Sequence, residues 1–358
     1  MTRPNANVSP NRFWDMAIRC AFVAWGCGLA GIASGGITVV TVPIGNPNNL
    51  SDVTGLGEVN YSYNIGEYDV TAAQYAAFLN AVASDDPYGL YTGLNYSPQE
   101  IVRTGSLGSY RYDVIQSFAN YPIVNVTFWD AARFANWLDN GQPPGEEGPG
   151  TTEKGAYNLS LSSENPPHGL ARGSTAEWAV ASANEWYKAA FYSPDLNGGQ
   201  GGYWEYATQS DVFSPVESNA GTLNFAPAGS FPYPSFYGTY DQGGAVLQWT
   251  DTIYSGAYRG LLGGGSGSQP SGLSVSFPND PTNVPYDGFR VVQVPEPSAL
   301  FVFVMGCRCG QMLRRRSRRN VAFAGGRAFQ CHCADLSQAA LGREDRAAAG
   351  SSLIKSLA

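Results

Sequence analysis

Between Gly28 and Gly306 the chain has no cysteine; its six cysteines are Cys20, Cys27, Cys307, Cys309, Cys331 and Cys333. A thiol-based oxidase cannot be built from that stretch, because the thiolate is the reactive species. Positive charge is also scarce. From Gly36 to Gln293 there are 8 Lys and Arg against 24 Asp and Glu, and the other 13 of the 21 basic residues lie before Cys20 or after Gly306. An acidic core repels phosphate backbones, which excludes nucleic acid as its partner. It suits solubility, cationic partners or divalent ions instead.

Histidine is nearly absent, with His168 alone in the core. That excludes a histidine cluster, and a Ser–His–Asp array unless His168 serves; no nucleophile-elbow glycine pattern accompanies it. A single histidine in a Pro-Pro-His-Gly loop reads as a surface residue. The core also lacks an apolar run long enough to span a membrane. Its 24 carboxylates, without geometry, identify no acid/base pair.

What is present is glycine (43), proline (23) and a high aromatic content of 8 Trp, 21 Tyr and 17 Phe. That composition describes a loop-rich but well-packed globular core rather than a disordered one.

The two ends read as addresses. Arg3, Arg12 and Arg19 precede an apolar run from Cys20 to Ala33, followed by Ser34, Gly35 and Gly36. This is the order of a secretory signal, and residues 1–35 are assigned to it. Gly26-Cys-Gly-Leu-Ala-Gly31 spells a dinucleotide fingerprint but lacks the strand–turn–helix setting that would give it meaning. At the other end Val294-Pro-Glu-Pro297 leads into Ser298–Gly306, an apolar piece, and then Arg314–Arg319. Residues 320–358 form an Ala/Arg-rich tail without apolar period, expected to be disordered. Cys307, Cys309, Cys331 and Cys333 are spaced too closely within each pair for the usual zinc knuckles.

Within residues 36–293, read as one domain, three segments carry helical spacing. Val70–Ala83 has Asp69 and Thr71 as candidate caps and Tyr75, Phe78, Leu79 and Val82 on one side. Thr127–Leu138 places Phe128, Ala131, Ala135 and Leu138 together. Ser182-Ala-Asn-Glu185 is a capping box heading Trp186–Tyr192. Short apolar pieces at Thr38–Val42, Ile123–Val126, Ala245–Trp249 and Phe289–Val294 are too brief for a parallel α/β sheet. A few helices on irregular β structure predicts an α+β fold.

Five stretches then line up in order with one family. They are Glu67-Tyr-Asp-Val-Thr-Ala-Ala-Gln-Tyr75, the segment from Tyr121 to Trp137, Asn184-Glu-Trp-Tyr-Lys-Ala-Ala190, the segment from Tyr240 to Thr250, and Gly288-Phe-Arg-Val-Val292. Together they resemble the formylglycine-generating, or sulfatase-modifying factor, family from about Val39 to Val292. The resemblance implies a single compact C-type-lectin-like domain with little regular secondary structure. The C-terminal segment, residues 294–319, resembles a PEP-CTERM sorting signal: a Pro-Glu-Pro mark, a short apolar helix and a basic stop. That likeness implies membrane association before processing, and an exported protein of the cell envelope or exterior.

Family oxidases use two copper-bound cysteines after an "R-G-G-S" turn. Here Leu262-Gly-Gly-Gly-Ser266 resembles that turn, and the thiol positions fall near Leu273–Ser274 and Pro278–Asn279. Without thiolate or thioether, copper is not expected, and no catalytic, cofactor or metal residue is assigned. The family's calcium positions correspond to Ala245, Gln248 and Asn219, which leaves Ca2+ an open expectation. The function expected is therefore a non-catalytic exported binding or structural module whose ligand is a glycan or a protein. The alternative is an oxidoreductase converting a sulfatase cysteine to formylglycine. Tyr233, Tyr237, Tyr254 and Tyr258 are candidate contact aromatics, each equally readable as structural.

Overall fold

A computed structural model of the chain describes residues 36–92, 100–159, 166–213, 226–254, 256, 258–264, 277–282 and 287–294. The expected leader, the Pro-Glu-Pro segment and the tail lie outside the described residues.

Among the described residues, two four-stranded sheets and the three longest helices enclose one aromatic core. The first sheet has the order β1 (Thr41–Ile44), β2 (Tyr63–Gly66), β12 (Val291–Gln293), β5 (Trp178–Val180), all antiparallel. The second has the order β10 (Phe277–Asn279), β9 (Tyr258–Leu262), β8 (Leu247–Tyr254), β11 (Asp287–Phe289), with β11 parallel to β8. The hairpins β3 (Ile101–Thr104) with β4 (Arg111–Val114), and β6 (Tyr192–Ser193) with β7 (Gly202–Tyr203), complete the strands. This mixed content confirms the α+β expectation.

The three longest helices begin where the cap chemistry places them. α1 (Ala72–Val82), α2 (Phe128–Asp139) and α3 (Ala183–Phe191) each open on a complete capping box, Thr71 with Gln74, Thr127 with Asp130, and Ser182 with Glu185. α1 starts at Thr71; Asp69 is not its cap but lies buried, paired with Arg290. Phe78 of α1 meets Phe134 and Trp137 of α2 at 5.3 Å each, and Phe134 meets Phe289 at 5.3 Å in edge-to-face geometry. Trp249 donates to the Val126 carbonyl at 2.9 Å, which satisfies its indole N–H inside the core.

Two of the short apolar pieces do not form a single strand. Ile123–Val126 is no strand, since its neighbour Pro122 forms only an isolated bridge to Thr71. Phe289–Val294 is divided between β11 and β12 by Arg290, whose side chain turns inward rather than joining a ladder. The outer edge of β5 is closed by Asp139, which accepts from the Glu177 and Trp178 amides at 2.7 and 2.9 Å. Edge strands left open invite unwanted pairing.

Candidate functional site

Between β1 and β2 the chain runs through Gly45-Asn-Pro-Asn-Asn-Leu-Ser-Asp-Val53, a composition that predicts only a loop. Four distant side chains pin it from below. Lys188 of α3, fully buried, donates to the Asn46 carbonyl at 2.9 Å. Tyr237 donates to Asn46 Oδ1 at 3.0 Å, and Tyr187 donates to Asp52 Oδ2 at 2.6 Å. Asn49, also buried, donates to the Gly57 carbonyl at 2.6 Å and to the Tyr203 hydroxyl at 2.7 Å. The Tyr203 hydroxyl in turn donates to the Leu50 carbonyl at 2.8 Å. Asn46 and Asn48 hold left-handed backbone, φ 53° and 65°, the region asparagine tolerates best among non-glycine residues.

The pinned loop forms one wall of a groove of about 710 Å3. Tyr192 and Tyr203 of the β6–β7 hairpin, with Asn197 and Gln200 from its turn, form the other. Leu50 and Val53 stand out into solvent on the loop side, 80% and 103% exposed. Burial lowers the Lys188 ammonium to about 8, since no carboxylate accompanies it. A second groove, about 740 Å3, runs over β1, β2 and β12. There Gln293 bonds to Glu177 at 2.8 Å and to Asn64 at 3.4 Å, so its polar groups are spent on one another.

The positions where a thiol or metal chemistry was sought carry different chemistry. Leu262, in the place of the turn's arginine, is fully buried at the end of β9. Pro278 and Asn279 lie in β10 opposite Gly260 and Arg259. Leu273–Ser274 and Asn219 fall outside the described residues. From residue 36 to 293 the sequence has neither cysteine nor methionine, so no sulfur ligand of any kind is present there. Gln248 is fully buried, and its Oε1 accepts from Trp186 Nε1 at 2.6 Å and from Arg290 Nε at 3.2 Å. A guanidinium already sits where a cation would have to approach. Arg290 also donates to the Gly66, Glu67 and Tyr240 carbonyls at 2.8, 2.7 and 2.8 Å and to Asp69 at 3.2 Å. One side chain thus ties together the end of β2, the turn before α1, the Tyr240 loop and β8. Ala245, the other expected position, is buried and offers no side-chain oxygen.

Among the described residues no three His, Asp or Glu side chains converge in a group able to hold a metal. The carboxylates that do meet form a structural lattice. Arg172 bridges Glu185 at 2.7 Å and Asp251 at 3.0 Å, with Tyr61 donating to Glu185 at 2.6 Å and Tyr157 to Asp251 at 3.2 Å. Burial alone would raise Glu185, but Arg172, Tyr61 and the Ser182 amide hold it below the usual carboxylate range. Other acids are buried without such partners. Burial pushes Asp287 and Glu100 up to about 8, and among the described residues both Asp287 oxygens and Glu100 Oε1 have no hydrogen-bond partner.

Of the candidate aromatics, Tyr237 touches the groove loop through Asn46 but does not line the groove. Tyr254 and Tyr258 face each other across the β8–β9 hairpin, and Tyr233 is an exposed loop residue. The carbonyl of His168 accepts from Arg259 at 3.2 Å. The sequence reading did not single out Asn46, Asn48, Asn49, Lys188, Tyr192 or Tyr203. The only available signal was the density of asparagine around Pro47.

Small sheets, few helices and long pinned loops define a module of the C-type-lectin-like class. The sulfatase-modifying factor enzyme 1-like domain model matches residues 43–295, and the chain belongs to that family. Among solved structures it is similar to CarF, at 19% identity and a TM-score of 0.47 over 72% of this chain and 99% of that one. It is likewise similar to Treponema denticola variable protein 1, at 17% identity and a TM-score of 0.47 over 72% and 98%. No curated protein matches it.

Proposed function

We propose that this chain is a non-catalytic, exported member of the sulfatase-modifying factor family, acting as a binding or structural module at the cell surface or outside the cell. The observation that carries the reading is the complete lack of sulfur from residue 36 to 293. Copper held by thiolates has no ligands there, and serine or asparagine does not replace thiolate redox chemistry at neutral pH. Calcium is proposed to be absent from the Gln248 position as well, because Arg290 supplies the positive charge and the cross-linking there.

Incubating the purified full chain with copper and a sulfatase-derived cysteine peptide is expected to give no aldehyde above a no-protein control. Aldehyde formation would establish the oxidoreductase alternative instead.

Export and retention rest on the sequence of the two ends. Deleting Pro295–Arg319 is expected to move the protein from the envelope fraction into the medium. An unchanged distribution between cells and medium removes the sorting role.

A further inference from the structure

We infer that the groove between the Asn46–Val53 loop and the β6–β7 hairpin is a binding site for an uncharged saccharide chain. This rests on the binding-module reading above and gives it a site and a ligand class.

Three observations point there. The first is the inventory of unspent polar groups. Among the groove-lining residues, the side chains of Asn48, Ser51 and Gln200 make no hydrogen bond among the described residues. The side chain of Asn197 uses only its Nδ2, donating to the Gly201 carbonyl at 2.9 Å. Asn46 uses only its Oδ1. What faces the groove is therefore a set of neutral amides and a hydroxyl, able both to donate and to accept. Sugar hydroxyls have the same double capacity.

The second is charge. Among the described residues no Lys or Arg lines the groove. Asp52, its one carboxylate, already accepts from the Thr54 amide at 2.6 Å and from Tyr187 at 2.6 Å. Lys188 lies beneath the loop and is committed to the Asn46 carbonyl. An anionic ligand finds no counter-charge, and a cationic one finds no free carboxylate. An uncharged polyhydroxylated ligand loses nothing on either account.

The third is rigidity combined with exposed apolar surface. The loop's contacts to Lys188, Tyr187, Tyr203 and Tyr237 cost nothing further on binding, because the loop is ordered beforehand. Above this fixed base stand Leu50 and Val53, almost wholly in solvent, with the half-buried ring of Tyr203 alongside. Aliphatic and aromatic patches beside neutral amides match the two faces of a pyranose, C–H on one and hydroxyl at the edge. The groove's volume of about 710 Å3 falls within the usual range of small-molecule sites.

The test is calorimetric titration of the full chain with maltohexaose, cellohexaose, mannohexaose and chitohexaose. At least one is expected to saturate with a Kd on the order of 0.1–1 mM, the weak regime of a shallow single site. The double variant Asn48→Gly with Gln200→Ala is expected to weaken that binding about tenfold or more, with an unchanged melting temperature, since neither side chain bonds to the fold and glycine accepts the left-handed backbone at position 48. Tyr233→Ala, at an exposed tyrosine outside the groove, is expected to bind as the parent does.

Failure of all four sugars to bind at about 10 mM overturns the inference. So does binding that the double variant leaves intact, which places the sugar elsewhere. Capture of an unstructured peptide by the groove, lost in the double variant while no sugar competes, assigns a peptide ligand and also overturns it. The aldehyde assay is read independently. Aldehyde removes the non-catalytic reading whatever the sugars do, whereas silence in both assays removes only the saccharide assignment.

Discussion

Asp287 shows how far a single residue can depart from the ordinary behaviour of its type. Aspartate is among the residue types least often buried, yet Asp287 is 1% exposed and both its oxygens lack a partner among the described residues. Burial raises it to about 8, as it raises Glu100 to about 8 against one bond from the Val124 amide. A carboxyl whose folded pKa lies above its unfolded value contributes stability that is fully present below the unfolded pKa and is lost as pH rises through the folded one. The protein is therefore expected to melt at a higher temperature at about pH 5.5 than at about pH 8.5. Glu185 runs the other way, because its folded pKa is lowered. Its contribution disappears only on acidification below the ordinary carboxylate range, outside this window. Asp287→Asn is expected to flatten the slope by on the order of 1–3 kcal/mol, measured by urea denaturation at the two pH values. A parallel pH profile for parent and variant would show that Asp287 is already ionised in the folded state.

At the scale of elements, helices were legible and strands were less so, for a physical reason. A helix carries its own start signal within four residues, and Thr71, Thr127 and Ser182 all function as caps. Thr127→Ala is accordingly expected to lower stability by about 1 kcal/mol in urea denaturation. Glu185→Ala should cost clearly more than that, because it strips a partner from buried Arg172 as well as opening the cap. Strands of three or four residues carry no comparable period, and Thr250–Tyr254 enters β8 through its pairing with β9, not through its own pattern. The groove loop was illegible for the same reason in stronger form. Asn46–Val53 has the composition of any turn, and what makes it rigid arrives from Tyr187, Lys188, Tyr203 and Tyr237, more than 130 positions further along the chain. Absences were legible where presences were not. The missing sulfur could be read directly, whereas the use of Gln248 required knowing that Trp186 and Arg290 converge on it.

Across the described core, half of the positive charge is placed inside. Of the 8 basic residues from Gly36 to Gln293, Arg133, Lys188, Arg259 and Arg290 are all buried. Each meets carbonyls, carboxylates or aromatic faces, as Arg259 does over Phe128 at 4.2 Å and Arg133 with Glu153 at 2.7 Å. The loops of a fold with so little regular structure need cross-links, and in this chain guanidinium groups supply them. Arg290 is the extreme case, with five acceptors drawn from segments as far apart as Gly66 and Gln248. If the cross-linking is done by arginine, calcium has no stabilising work left. A metal bound to the folded state alone at about 100 times its Kd would add about 2.7 kcal/mol, a rise of roughly 5–10 °C in a domain of this size. The melting temperature is instead expected to agree within about 1 °C between about 1 mM CaCl2 and about 1 mM EGTA. Arg290→Met, by contrast, leaves Asp69 buried without its cation and is expected to cost about 3–5 kcal/mol. A calcium-dependent rise of several degrees would mean that metal, not Arg290, holds these loops together.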